Sequence, residues 1–204
     1  RLGLQVIAVT LNRQRSAVMS CNPAIGGTAK GHLVKELDAL GGQIARAADE
    51  VGTHFITLNL SKGPAVRATR VLCDRDAYAL VMQQQLECTK NLDIIEGEVS
   101  ALLATDNCID GARLADGRAV AARAVVVTTG TFLQALMHVG AQKEVGGRLG
   151  DAAATGLSGS LKELGFALGR FKTGTPARLR KSSIDFSRCQ KQPGDPHPRP
   201  FSRW

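Results

Sequence analysis

Aromatic side chains are scarce in this sequence, making up 4% of its 204 residues. A core must therefore be built from Leu, Val, Ile and Ala. Cysteines are few and odd in number (Cys21, Cys73, Cys88, Cys108, Cys189), and none forms a C-x-x-C pair. That argues against a disulfide framework or a metal site and for a reducing, cytoplasmic compartment. No secretory signal is present, and no apolar run reaches the roughly 18 residues a membrane span requires. Acidic residues are what the C-terminal segment lacks. Residues 1–169 carry 17 Lys and Arg against 16 Asp and Glu, whereas residues 170–204 carry nine against two. Nearly all of the net charge of +8 is therefore C-terminal. Such a face attracts polyphosphate or nucleic acid, although a solvated basic tail would have the same composition.

Glycine, by contrast, is abundant, at 22 residues, many beside apolar runs, as in nucleotide-binding α/β proteins. Leu4–Thr10 reads as an opening strand. From Lys30 to Val51 the residues Leu33, Leu37, Leu40, Ile44, Ala47, Ala48 and Val51 repeat at three- and four-residue steps, which predicts a helix with one apolar stripe. The Gly41-Gly42 pair predicts a kink or break in it. Asp74 to Leu86 reads as a helix and Leu92–Glu96 as a strand. Val99–Leu103 and Ala112–Leu114 flank a turn at Asp106-Asn107, and Val120–Arg123 follows the turn at Asp116-Gly117. The run Ala124–Thr128 reads as the clearest buried strand, parallel and covered on both faces. Ser158 to Leu168 is a short helix. From Pro193 the Pro-rich chain reads as extended coil or linker. Strands alternating with helices, plus a meander of short strands, predict an α/β fold with a small antiparallel insertion.

Several stretches carry candidate chemistry. In Ser20-Cys21-Asn22-Pro23-Ala24-Ile25-Gly26-Gly27 the glycine pair permits close backbone approach to a ligand ahead of a helix start. Cys21 lies in the loop before that helix and is a candidate nucleophile; a small buried cysteine is the plainer reading of a lone Cys. Lys62-Gly63-Pro64 with Arg67 and Arg70 places three cations at a tight turn, which suits phosphate or solvated surface charge alike. Thr128-Thr129-Gly130-Thr131 ends the expected buried strand, where α/β sheets bind nucleotides. Lys172-Thr173-Gly174-Thr175-Pro176 combines a Gly turn, hydroxyl donors and a cation.

Taken in order, these stretches resemble the GidA/MnmG family of tRNA-modifying flavoproteins. The match comprises Ser20–Gly27 with Lys30–Glu36, then Leu37–Gly42, Leu58–Arg70 with Asp74-Arg75 and Tyr78, and Val127–Leu133. Gly146-Gly147-Arg148 with Gly150-Asp151, and Gly169–Pro176, complete it. The resemblance runs from about Met19 to Phe201. It implies FAD binding, use of NADH, and transfer of a one-carbon unit from a methylenetetrahydrofolate-type donor. With a partner GTPase of the MnmE type, an aminomethyl or carboxymethylaminomethyl group is added to C5 of the tRNA wobble uridine. It places the family's first conserved cysteine at Cys21, the catalytic candidate. It also puts flavin contacts at Gly26, Gly27, Val99, Thr129, Gly130, Thr131 and Ala154, and a homodimer in the full-length family. RNA contacts are expected at Lys62, Arg67, Arg70, Arg170, Lys172, Arg178 and Arg180.

The chain departs from the family pattern at its start, in the lead-in Asn12–Val18 to the cysteine, at Ala152–Ala154, and at Trp204, before the family's second conserved cysteine is reached. Members open with a strand and a G-x-G-x-x-G turn that holds the FAD pyrophosphate, and this sequence opens at Arg1-Leu2-Gly3. Ala152-Ala153-Ala154 stands where Pro-Pro-Ser is usual. The expected architecture is thus a partial Rossmann-like FAD-binding domain over residues 1–170, its first strand and Gly-rich turn missing. A basic, Pro-rich segment over residues 171–204 would lead toward an insert domain. With an incomplete active site, three readings compete: a fragment of the flavin-dependent enzyme, a catalytically inactive basic RNA-binding module, and a generic FAD oxidoreductase.

Overall fold

The structure, a computed structural model, describes residues 2–204. In chain order it forms β1 (Val6–Thr10), β2 (Ala24–Gly26), α1 (Lys30–Ala39), α2 (Ile44–Val51), β3 (Gly52–Leu58) and β4 (Ala68–Cys73). There follow α3 (Arg75–Glu87), β5 (Leu92–Glu96), β6 (Val99–Thr105), β7 (Cys108–Leu114) and β8 (Ala119–Ala121). The last elements are β9 (Leu136–Val139), β10 (Gln142–Val145) and α4 (Leu157–Glu163). The chain divides into two units. The first holds residues 2–5, 14–92 and 173–204, and the second residues 6–13 and 93–172. The chain re-enters the first unit at Thr173. Among the described residues no helix is long and apolar enough to cross a membrane.

The first unit is built on a three-stranded antiparallel sheet in the order β2-β4-β3. The central strand β4 buries Ala68, Val71 and Cys73. Helix α2 contributes Ala45, Ala47 and Ala48, and their small side chains permit close packing. The predicted long helix is indeed broken at the glycine pair, into α1 and α2. Its stripe needs correction, however. Leu33, Leu37 and Leu40 are 60%, 45% and 73% exposed, and α1 instead buries Gly31, Val34 and Asp38. The reason is steric. A Cβ on Gly31 would meet the Thr69 carbonyl at 2.9 Å, so the glycine face is the one that can lie against β4.

The C-terminal residues close this core. Phe201 is 1% exposed within it. Asp49 accepts the amides of Phe201 (2.6 Å) and Ser202 (2.8 Å). Buried Asp38 accepts the Ser202 hydroxyl (2.6 Å) and the Arg203 amide (2.9 Å), and its carbonyl takes the Trp204 indole N–H (2.9 Å). Lys35 stands over the Phe201 ring and Arg46 over the Trp204 ring, at 5.7 and 5.6 Å. Further up the chain, Asp195 accepts the Thr57 amide and hydroxyl at 2.9 and 2.8 Å. The Pro-rich stretch is extended, as expected, but it docks along β3.

The second unit carries the meander β6-β7-β8, all antiparallel. Its turn at Asp106-Asn107 has both residues at positive φ (51° and 61°), the geometry that favours Asp and Asn in a two-residue hairpin loop. β1 pairs with β5, and β9 with β10. The helix expected over 158–168 is shorter, ending at Glu163. It is fixed to β6 through the Ser160 hydroxyl, which accepts the Leu102 amide at 2.9 Å. The strand expected at Ala124–Thr128 is absent. The segment joins no ladder, and Val126 is 84% exposed. A buried parallel strand needs hydrogen-bonding neighbours on both sides, and no described strand lies in register with this run. The fold is thus mixed α/β with four small sheets, not one extended parallel sheet among the described residues.

Two outcomes follow for stability. Phe201→Ala should destabilise the chain by about 3–5 kcal/mol, read as a lowered urea midpoint, because a fully buried ring is removed. Burial pushes the Cys73 thiol from 9.0 up to about 11, with the Asp49 carboxylate adding to the effect. Burial, and then Cys73, likewise raise Tyr78 to about 12. A folded-state value above the unfolded one means that the folded chain holds the proton longer. Stability is therefore full below pH 9.0 and falls as pH rises toward about 11. Urea titrations across that window should show the decline, and Cys73→Ala should remove its first part.

Candidate active-site cleft around Cys21

Cys21 lies on the loop entering β2, and that loop is held from both ends. The Gln83 side-chain amide on α3 donates to the Gln14 and Ser16 carbonyls, both at 2.9 Å. On the other side the Pro23 carbonyl accepts the Cys73 amide at 2.8 Å. The thiol, half-buried, faces the segment that re-enters this unit at Thr173. The Thr175 hydroxyl donates to Cys21 Sγ at 3.5 Å, and Thr173 Oγ1 lies 4.0 Å from the same sulfur.

A cleft of about 510 Å³ opens beside the thiol. Met19, Asn22 and Pro23 line one side, the start of α3 (Asp74–Asp76) another, and Pro176, Ala177 and Arg178 the third. The α3 terminus is already satisfied, because Asp74 accepts the Asp76 and Ala77 amides at 3.0 and 2.9 Å. Arg75 is paired with Asp76 at 3.1 Å. The cleft thus offers a thiol, a side-chain amide, apolar rims and an exposed guanidinium at Arg178. Those groups suit a flat polar ring attached to an anion.

The glycine pair has a structural use of its own. Gly26 sits at φ +82°, and a Cβ there would collide with the Thr69 carbonyl and come within 2.7 Å of the Phe201 ring. The Gly27 amide donates to Thr69 O at 2.8 Å, so this donor is engaged by the protein itself. Arg70 lies opposite Gly26 in the ladder. Lys62 and Arg67 are exposed on either side of the 3-10 turn Pro64–Val66. Arg178 and Arg180 belong to this same unit and are exposed, whereas Arg170 and Lys172 belong to the second unit, where Arg170 donates to the Gln134 carbonyl at 3.3 Å.

The other candidate cofactor residues gather in the second unit. Ala154 donates to the Phe132 carbonyl (2.9 Å) and accepts from Gln134 (2.8 Å), which ties the 150s to the segment following Thr129–Thr131. The Thr131 hydroxyl donates to the Gly147 carbonyl at 2.8 Å. Gly147 leaves the room that the Phe132 ring fills, and Arg148 stacks on that ring while paired with Asp151. Next to Val99, the Glu98 carboxylate accepts the Thr155 and Gly156 amides at 2.6 and 3.2 Å. Ala154 is thus tied to the segment following Thr129–Thr131, and the residue before Val99 to Thr155 and Gly156. Val99, Thr129, Gly130, Thr131 and Ala154 are uncharged, which fits a ring edge better than a pyrophosphate, and the Thr131 hydroxyl and the Ala154 amide are already engaged by protein carbonyls. Sequence reasoning missed Glu98, for which no local signal exists. It named Thr173 and Thr175 but not their contact with Cys21. Among the described residues no three His, Cys, Asp or Glu side chains gather to hold a metal.

Comparison with known proteins agrees over the whole chain. The family model described as GIDA, glucose inhibited division protein A, matches residues 1–204. The chain is 67% identical over 202 residues to the Myxococcus xanthus protein named tRNA uridine 5-carboxymethylaminomethyl modification enzyme MnmG, covering 99% of this chain and 33% of that protein. The Pelobacter propionicus protein of the same name is 50% identical, with 99% and 32% covered. The crystal structure of Aquifex aeolicus GidA superposes with a TM-score of 0.92 at 44% identity, covering 99% of this chain and 34% of that one. A GidA-related protein from Thermus thermophilus, at 21% identity and TM-score 0.57, shares the fold. The chain spans about a third of the length of the curated relatives it matches. With the ordered motifs, the matched family model and the superposed structure in agreement, this chain belongs to the GidA family.

Proposed function

We propose that this chain is part of a flavin-dependent enzyme that modifies C5 of the tRNA wobble uridine, with Cys21 as its nucleophile. The observation that carries the reading is that Cys21 and Arg178, far apart in sequence, line one cleft while Thr175 donates to the thiol. The names of the relatives supply the substrate. C5 of uracil is a poor nucleophile. When the Cys21 thiolate bonds to C6, the C5–C6 electron pair moves toward C5 and O4. C5 can then bond a one-carbon electrophile. Loss of the C5 proton to a base and expulsion of the thiolate restore the double bond, so the cysteine is regenerated.

In this reading the uncharged segments around Val99, Thr129, Gly130, Thr131 and Ala154 lie against the flavin ring. Gly26 and Gly27, on the first unit, are the further candidates for flavin contact. When bound, FAD supplies the redox chemistry, with NADH as the reductant and a methylenetetrahydrofolate-type donor as the carbon source. The Rossmann-like FAD-binding architecture, the homodimer, the MnmE-type GTPase partner and the cytoplasmic setting belong to the same proposal. Arg178 beside the thiol, with Arg180, Lys62, Arg67 and Arg70 elsewhere on the first unit and Arg170 and Lys172 on the second, would receive phosphates of the RNA.

One specific observation favours a second reading, a basic RNA-binding module without catalysis: nine of the 26 Lys and Arg fall in residues 170–204. A single trapping experiment separates the two. Incubated with FAD, the reduced nicotinamide and folate co-substrates, and an anticodon stem-loop carrying 5-fluorouridine at the wobble position, the chain should form a denaturant-stable adduct. Cys21→Ala should abolish it while leaving RNA affinity within about twofold. Binding without an adduct in the unmutated chain leaves only the module. Replacing Arg178 and Arg180 together by Ala should weaken stem-loop binding. It should also flatten the log K versus log salt slope by about 0.7 for each single-strand phosphate that is no longer neutralised. Titrations at several salt concentrations give that slope directly.

A further inference from the structure

The contact between Cys21 and the Thr173–Pro176 segment assigns a role that neither the motif order nor the relatives' names supply. We propose that Thr175 is a positioning residue for Cys21, its hydroxyl holding the sulfur as a hydrogen-bond acceptor at the mouth of the cleft. The proposal rests on the reading of Cys21 as the nucleophile.

Four observations converge on this assignment. First, Thr175 Oγ1 is 3.5 Å from Cys21 Sγ and is the donor of that pair, while Thr173 Oγ1 stands 4.0 Å away on the same sulfur. A thiol has one proton to give, whereas a thiolate has none and accepts from every donor around it. Two rotatable hydroxyls serve both forms: Thr175 donates throughout, and Thr173 accepts from the thiol or donates to the thiolate. Second, Thr175 precedes Pro176, and a residue before proline is confined to extended backbone, so the direction of its Cα–Cβ bond is largely fixed. Third, threonine is β-branched and stiff at χ1, which limits where the hydroxyl can point. Fourth, the sulfur's own loop is held by Gln83 at 2.9 Å and by the bond from the Cys73 amide to Pro23 at 2.8 Å. Donor and acceptor are thus both mounted on constrained backbone. The hydroxyl also keeps the sulfur beside Met19, Asn22 and Arg178, the groups that would meet a substrate ring and its phosphate.

The test reads the thiol directly and needs neither RNA nor flavin. The purified chain is alkylated with iodoacetamide at neutral pH, and the rate at each cysteine is followed by peptide mass spectrometry. Cys88, Cys108 and Cys189 are exposed and serve as internal controls in the same molecule. Thr175→Val keeps the shape and removes the donor. Thr175→Ser keeps the donor and loses the branch. Relative to the controls, Cys21 should react about tenfold more slowly in the Val variant, the upper range for one hydrogen bond. In the Ser variant it should stay within about twofold of the unmutated chain. Thermal melting of each variant shows that the fold persists. A Cys21 rate in the Val variant equal to or above that of the unmutated chain overturns the proposal. A Ser variant as slow as the Val variant does so too, since a retained hydroxyl would then fail to sustain the rate. The outcome is separable from the proposed function: a Cys21 whose alkylation follows this order but which forms no adduct with fluorouridine RNA would sink the RNA chemistry and leave the Thr175 assignment standing.

Discussion

The first unit depends on two carboxylates receiving the backbone of the C-terminal residues. Asp49 takes the amides of Phe201 and Ser202, and Asp38 takes the Ser202 hydroxyl and the Arg203 amide. Asp38 is 1% exposed, and a polar group so deeply buried is stable only where donors surround it. What these bonds achieve is placement of Phe201, whose ring completes the core formed by Val34, Val71, Tyr78 and the alanines of α2. The same ring lies against Gly26, so the strand leading out of the Cys21 loop is packed by a residue 175 positions later in the chain. The Cys21 loop and the residues around Phe201 are parts of one packed object.

The site inherits its geometry from that arrangement. Its walls come from the lead-in loop, the start of α3 and the returning segment 173–178, all within the first unit. The second unit solves a different problem. There Glu98 grips the amides of Thr155 and Gly156, Gly147 makes room for Phe132, and the Thr131 hydroxyl holds the Gly147 carbonyl. The candidate nucleophile and the larger part of the candidate flavin surface therefore stand on separately built scaffolds, each with its own internal ties.

What the sequence disclosed and what it concealed divide along physical lines. The Gly41-Gly42 break and the Asp106-Asn107 turn were legible because they depend on local backbone conformation, which these residue types select. The orientation of α1 was not. Its leucines at 33, 37 and 40 form the more obvious stripe, but close approach to β4 is open only to the face carrying Gly31, and periodicity is blind to that. Ala124–Thr128 misled for a related reason: an apolar, β-branched run shows what a strand requires and says nothing of whether neighbours exist to pair with it. For the site, Cys21 and Arg178 were visible as separate candidates, but their shared cleft and the Thr175 contact link positions more than 150 residues apart, beyond any local pattern. Nor could the Asp38 and Asp49 anchors be read locally, because the residues that bond to them lie more than 150 positions later.

The open run from Ala124 to Thr128 has a consequence for how the molecule behaves in bulk. Its amides and carbonyls join no ladder, its composition is nearly all small and β-branched apolar residues, and Val126 points to solvent. A stretch of that kind is a template to which another strand can add, whether from elsewhere in a longer polypeptide or from a neighbouring molecule. Concentration then becomes a structural variable. In dilute solution water satisfies those backbone groups, and as molecules crowd, edge-to-edge association competes with it. The segment that most resembled buried core in the sequence thereby presents apolar side chains and unladdered backbone to its surroundings.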